Sequence, residues 1–141
     1  MLSELLALVE KEGIILEWWN FEDPIEGIFL PEDNEIPATI GLKRDLDKNP
    51  QKFKSVLAEE IGHYFTCSSY FPKPSNYKEE IEYHRAEYRA KTFAVCLLLP
   101  LDKLMDALKK GYKETWQLAE YFGVSEELII FRIKVWKVKG I

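Results

Sequence analysis

The amino-acid sequence predicts an α+β fold, with a small antiparallel sheet in the N-terminal third followed by a helical body. Two observations separate those parts. Between Asn20 and Leu42, three prolines and two glycines interrupt short apolar runs, which is strand-and-turn patterning. After Asn49 the apolar residues recur at helical spacing almost to the end of the chain. A third observation sets the size of the unit: 141 residues with 47% apolar content can bury one core, and no linker or repeat divides them. One domain over residues 1–141 is expected. Residues 1–48 hold a helix and the sheet, 49–100 two long helices, and 101–141 shorter C-terminal helices.

In order along the chain, Ser3 is placed to cap a first helix, with Leu5, Leu6, Leu8 and Val9 as its apolar stripe and Gly13 as its stop. Ile14 to Trp19 reads as extended. Gly27 to Leu30 and Ala38 to Leu42 read as two further strands, parted by the turn signal Pro31-Glu32-Asp33-Asn34. Asn49 can cap a helix and Pro50 suits its first position, so a helix is expected from there to about Cys67. A loop from Ser68 to Asn76 leads to a second long helix, about Lys78 to Leu99, ended by Pro100. Its core side is marked by Ala86, Ala90, Phe93, Ala94, Leu97 and Leu98. Shorter helices are expected at about Asp102–Lys110, Glu114–Tyr121 and Ser125–Trp136.

A net charge of −5 argues against a protein whose main task is neutralising phosphate, so DNA is a disfavoured partner. Cys67 and Cys96 lie far apart and lack CxxC spacing, so they read as reduced thiols. Met1 to Gly13 lacks a basic region and an unbroken apolar core, and no run approaches the roughly 18 apolar residues of a membrane span. A soluble, cytoplasmic protein with no membrane role is expected.

The run Glu59-Glu60-Ile61-Gly62-His63 carries chemistry. In the motif His-Glu-x-x-His, residues four apart project from one side of a helix and hold a metal, while the Glu beside the first acts on water. Here Glu59 stands in the first ligand position, His63 in the second, and Glu60 in the place of the base. Leu57, Ile61 and Phe65 fall on the opposite, core-facing side. On spacing alone, a solvated Glu59–His63 pair worth about 0.2–0.5 kcal/mol is the better reading.

Two blocks shift that balance. Val56-Leu57-Ala58-Glu59-Glu60-Ile61-Gly62-His63-Tyr64 resembles the active-site helix of the ImmA/IrrE metallopeptidases, which typically reads Leu-Ala-His-Glu-Leu-Gly-His. The stretch from Glu87 to Pro100, with Ala90, Phe93-Ala94 and Leu97-Leu98-Leu99-Pro100, resembles that family's later signature. The resemblance implies a zinc-dependent endopeptidase with Glu60 as general base, His63 as second ligand and Glu87 as third ligand. Glu59 stands where the family has its first histidine. One imidazole with two carboxylates makes an oxygen-rich site, for which manganese or iron is an alternative to zinc. The implied substrate is a specific regulatory protein, such as a helix-turn-helix repressor of a phage or mobile element. The alternative is a catalytically silent relative that binds a regulator through the same groove.

The same residues admit other readings. His84 lies one turn before Glu87 and is able to replace or join it, although exposure near Glu80 is the better reading. Glu87 pairs with Lys91 on spacing alone. Cys67 continues the His63 stripe. Glu60-x-x-His63 with Glu79, Glu80, Glu82 and Glu87 has some of the carboxylates of a dimetal bundle, but only one such motif. Leu118 to Arg132 has helix-turn-helix rhythm, with Glu126 and Glu127 set against phosphate, so packing is preferred to DNA recognition. Tyr64 and Tyr83 are candidate oxyanion donors without a spacing argument.

Overall fold

The computed structural model describes residues 1–66 and 74–141. Cys67 and most of the loop expected after it lie outside the described residues. Helix α1 spans Leu2–Lys11, with Met1 rather than Ser3 at its N-cap, and buries Leu5 and Val9. The chain then reverses through Gly13, whose φ of 71° is a conformation that glycine adopts without a Cβ penalty.

Three strands follow: β1 (Ile15–Trp19), β2 (Gly27–Leu30) and β3 (Thr39–Lys43). Their order is β1-β3-β2. The β2–β3 pair is antiparallel, with Gly27 opposite Leu42 and Phe29 opposite Ile40. The β1–β3 pair is parallel, Leu16 facing Ile40 and Trp18 facing Leu42. The sheet is therefore mixed, not wholly antiparallel as the sequence predicts. The physical reason is the placement of β3: the chain passes from β1 to the far edge, forms β2, and returns between them. Ile40 and Leu42, both fully buried, suit that central slot.

A 3-10 turn at Arg44–Lys48 leads to α2, Pro50–Phe65. Asn49 accepts the Lys52 amide and Pro50 begins the helix, as the sequence predicts. Helix α3 spans Tyr77–Leu98, capped by Asn76, whose side chain accepts the Glu79 amide. Then come α4 (Leu101–Lys109), α5 (Thr115–Phe122) and α6 (Glu126–Lys139). The α+β class stands, with a small sheet followed by a helical body.

One core joins the layers. Leu5, Leu42, Leu57, Ile61, Leu104, Leu118 and Ile129 are fully buried in it. The α3 stripe holds at Ala86, Ala90, Ala94 and Leu98, with Val95 added, while Phe93 and Leu97 are only partly buried. Phe65 corrects the expected core side of α2, because it is 37% exposed and stacks on Phe93 at 5.1 Å.

The α5–α6 turn has the expected chemistry, with Gly123 left-handed and Ser125 capping α6 through the Leu128 amide. Arg132, however, is 1% exposed. Its Nε donates to the Leu99 carbonyl and its Nη1 to the Ile141 carbonyl, each at 2.7 Å. It is a packing residue, placed where it cannot touch phosphate.

Candidate metal and acid–base site

Helices α2 and α3 share the most extensive contact between elements, and Gly62 permits it. A Cβ at position 62 would collide with the Ala90 carbonyl oxygen. The missing side chain lets two backbones approach, as the small residues of the α3 stripe foreshadow. That approach brings His63 on α2 to Glu87 on α3, with His63 Nε2 3.2 Å from Glu87 Oε1. His63 is 13% exposed and Glu87 38%.

Glu59 and Glu60 complete the cluster. Burial, followed by the charges of Glu59 and Glu87 and opposed by His63, pushes the Glu60 carboxyl up to about 7. Burial and then Glu87 raise Glu59, against the opposing influence of Lys91 and His63. For His63, burial favours the neutral ring, but the hydrogen bond to Glu87 and the charges of Glu60, Glu87 and Glu59 outweigh it and raise the pKa.

Tyr83 stands on α3 one turn before Glu87. Its phenol is held above its ordinary value by burial and by the charges of Glu87, Glu59 and Glu60. Tyr64 donates its hydroxyl to Glu12, the residue that caps the C-terminus of α1, at 3.0 Å. The remaining wall is backbone. An ideal Cβ built on Gly27 would meet Val56 Cγ1 at 2.7 Å and Glu60 Oε1 at 3.3 Å, so β2 lies against the Glu60 side chain.

The four predicted site residues influence one another electrostatically, while the contact shown between them is that of His63 with Glu87. His84 is exposed and meets Tyr83 edge-on at 5.5 Å between ring centres. Neither expected helical pair governs the site, since Glu87 faces His63 and Lys91 lies 4.6 Å over the Phe131 ring. The extra carboxylates of a dimetal bundle are also elsewhere, with Glu79 bound to Ser75 and with Glu80 and Glu82 exposed. The sequence offers no signal for Gly27, because its role depends on sheet and helix meeting.

The donor chemistry suits a divalent cation. Three carboxylates and an imidazole are gathered in a sheltered place, and among the described residues no lysine or arginine forms an ion pair with any of the three carboxylates. Two donors of one tetrahedral ion at about 2.0–2.1 Å stand about 3.3 Å apart. The His63–Glu87 separation of 3.2 Å is close to that value, but the contact is a hydrogen bond from the imidazole to the carboxylate. Among the described residues, however, no three such side chains form a ready metal-holding group. Within this set, the contact that the structure shows is that of His63 with Glu87.

Residues 26–134 match the family model Peptidase_M78, the IrrE N-terminal-like domain. The chain belongs to this family. The match begins one residue before Gly27 and runs through β2, β3, α2 and α3, so every residue of the cluster falls within it. Peptidase_M78 is a metallopeptidase family, which accords with the sheltered carboxylate cluster. Among curated proteins and among solved structures, none matches the chain.

Proposed function

We propose that this Peptidase_M78 member is a zinc-dependent endopeptidase acting on a specific regulatory protein, such as a phage or mobile-element repressor in the cytoplasm. The observation that carries the reading is Glu60: a partly buried carboxyl whose pKa is pushed up to about 7 beside the His63–Glu87 pair. A general base works best with a pKa close to the operating pH, where it takes a proton and later returns it. His63 and Glu87 hold the metal and Glu59 completes the protein ligands. When bound, the ion supplies Lewis acidity that polarises water and the scissile carbonyl. Manganese or iron is the alternative ion, given an oxygen-rich donor set.

The chain's own groups do the rest. Glu60 accepts the proton of the attacking water at its carboxylate and delivers it to the departing amine. Tyr83, one turn before Glu87 on α3, is the candidate hydrogen-bond donor to the developing oxyanion. The β2 strand supplies the substrate track. The Lys43 amide donates to the Glu26 carbonyl at 2.9 Å, so pairing alternates and the amide groups of Gly27 and Phe29 face the open edge. An extended peptide added at that edge would pass beside Glu60.

A second reading is a silent relative that binds a regulator through the same groove. It is favoured by the carboxylate at position 59 and by the lack of a ready three-donor group among the described residues. The two are separated by incubating zinc-loaded wild type and Glu60→Gln with host lysate and labelling new protein N-termini. Cleavage by the wild type alone supports the peptidase. Identical products from both, or none, would sink it.

A further inference from the structure

We infer that Gly27 is a positioning residue for Glu60, its missing side chain leaving the room beside which the carboxylate rests. The inference rests on the general-base reading of Glu60. Gly27 opens β2 opposite Leu42, and its φ is not in the left-handed region, so backbone torsion does not demand glycine there. Space does. A Cβ would lie 2.7 Å from Val56 Cγ1, 3.3 Å from Glu60 Cγ and 3.3 Å from Glu60 Oε1. Val56 and Glu60 are one turn apart on α2, so both turn toward this point of the strand.

The strand cannot easily retreat. The preceding residue, Glu26, is joined to Lys52 of α2 at 2.7 Å, and its carbonyl takes the Lys43 amide of β3. With β2 hydrogen-bonded into the sheet, a new methyl at position 27 is expected to displace side chains before backbone. Val56 is the tighter contact and governs stability. Glu60 is the looser contact, and its displacement is a loss of alignment at the proposed base.

The two effects are separable because they involve different side chains. Gly27→Ala, Val56→Ala and Gly27→Ala/Val56→Ala are compared with the wild type in thermal midpoint, zinc content and cleavage of fluorescein-labelled casein. Gly27→Ala is expected to lose both stability and activity. The double variant is expected to recover the thermal midpoint and zinc content of Val56→Ala, while kcat stays about 10- to 100-fold lower at similar KM. Recovery of kcat in the double variant would overturn the inference.

If the wild type does not cleave casein, a narrow substrate range accounts for it, and a second measurement still decides about Gly27. In metal-free protein, the 13C resonance of the Glu60 carboxyl is expected to move between Val56→Ala and the double variant by more than those of other carboxyls. An unmoved resonance means that Gly27 does not seat Glu60.

Discussion

The carbonyl of Ala90 fills the space that a side chain at position 62 would need. This one backbone approach sets how far His63 stands from Glu87. Gly62→Ala is expected to cost about 1–3 kcal/mol through overpacking. Urea unfolding should show a lower midpoint, and metal affinity should fall with it because the two donors part. A variant with wild-type stability and metal affinity would refute this account.

Metal content should depend on the pair. Protein purified without chelator is expected to carry close to one equivalent of zinc or a similar ion per chain, and His63→Ala to lose it. Glu60→Gln should keep it, since the base is no ligand. Because an ion held only by the native state stabilises that state, chelation should lower the thermal midpoint of the wild type and leave that of His63→Ala in place. Elemental analysis alongside calorimetry checks both.

Metal-free protein should be more stable in mild acid than in mild alkali. Burial raises Glu60 from 4.5 to about 7, so between those values the fold binds more protons than the unfolded chain. Stability therefore falls as pH climbs through that window, by on the order of 2–3 kcal/mol. His63, also raised, adds stability below its ordinary value of 6.5 that is lost as pH climbs through its folded value. The signs agree. Glu60→Gln should flatten most of the slope in chelator-treated protein, and an unchanged slope would show that the dependence arises elsewhere.

Arg132→Leu should destabilise by about 1–3 kcal/mol, because the buried Leu99 carbonyl loses its donor. Leu99 O and Ile141 O both depend on this guanidinium. Lysine should not rescue, since a single ammonium cannot reproduce the fork that serves two carbonyls. Equal urea midpoints for Arg132→Lys and wild type would contradict this.

Local signals in the chain were enough for most elements. Asn49-Pro50 marks the start of α2 through capping and fixed φ, and Gly123 with Ser125 marks the α5–α6 turn. The motif spacing also brought Glu59, Glu60 and His63 together, since helix geometry alone places them. What spacing does not contain is contact between distant elements. The parallel pairing of β1 with β3 depends on which strand takes the centre. Glu87 chooses His63 over Lys91 because Gly62 admits α3, and Phe65 stacks on Phe93 of that neighbouring helix. Gly27 belongs to the same class: nothing nearby in sequence shows that it lies against residue 60.

The pairing of β2 has a consequence for how this chain tolerates insertions and deletions. On its C-terminal side, residues 31–37 are exposed and form a self-contained turn, in which Asp33 accepts the Glu35 and Ile36 amides. Extra residues there lengthen a loop at little entropic cost. Inside the strand the same change is far more damaging, because side chains alternate and one added residue would turn Phe29 out of the core. On the N-terminal side, Glu26 is moored to Lys52, so added length must bulge outward before that point. Variation in chain length should therefore collect in residues 31–37, leaving the distance from Glu26 to Leu30 unchanged.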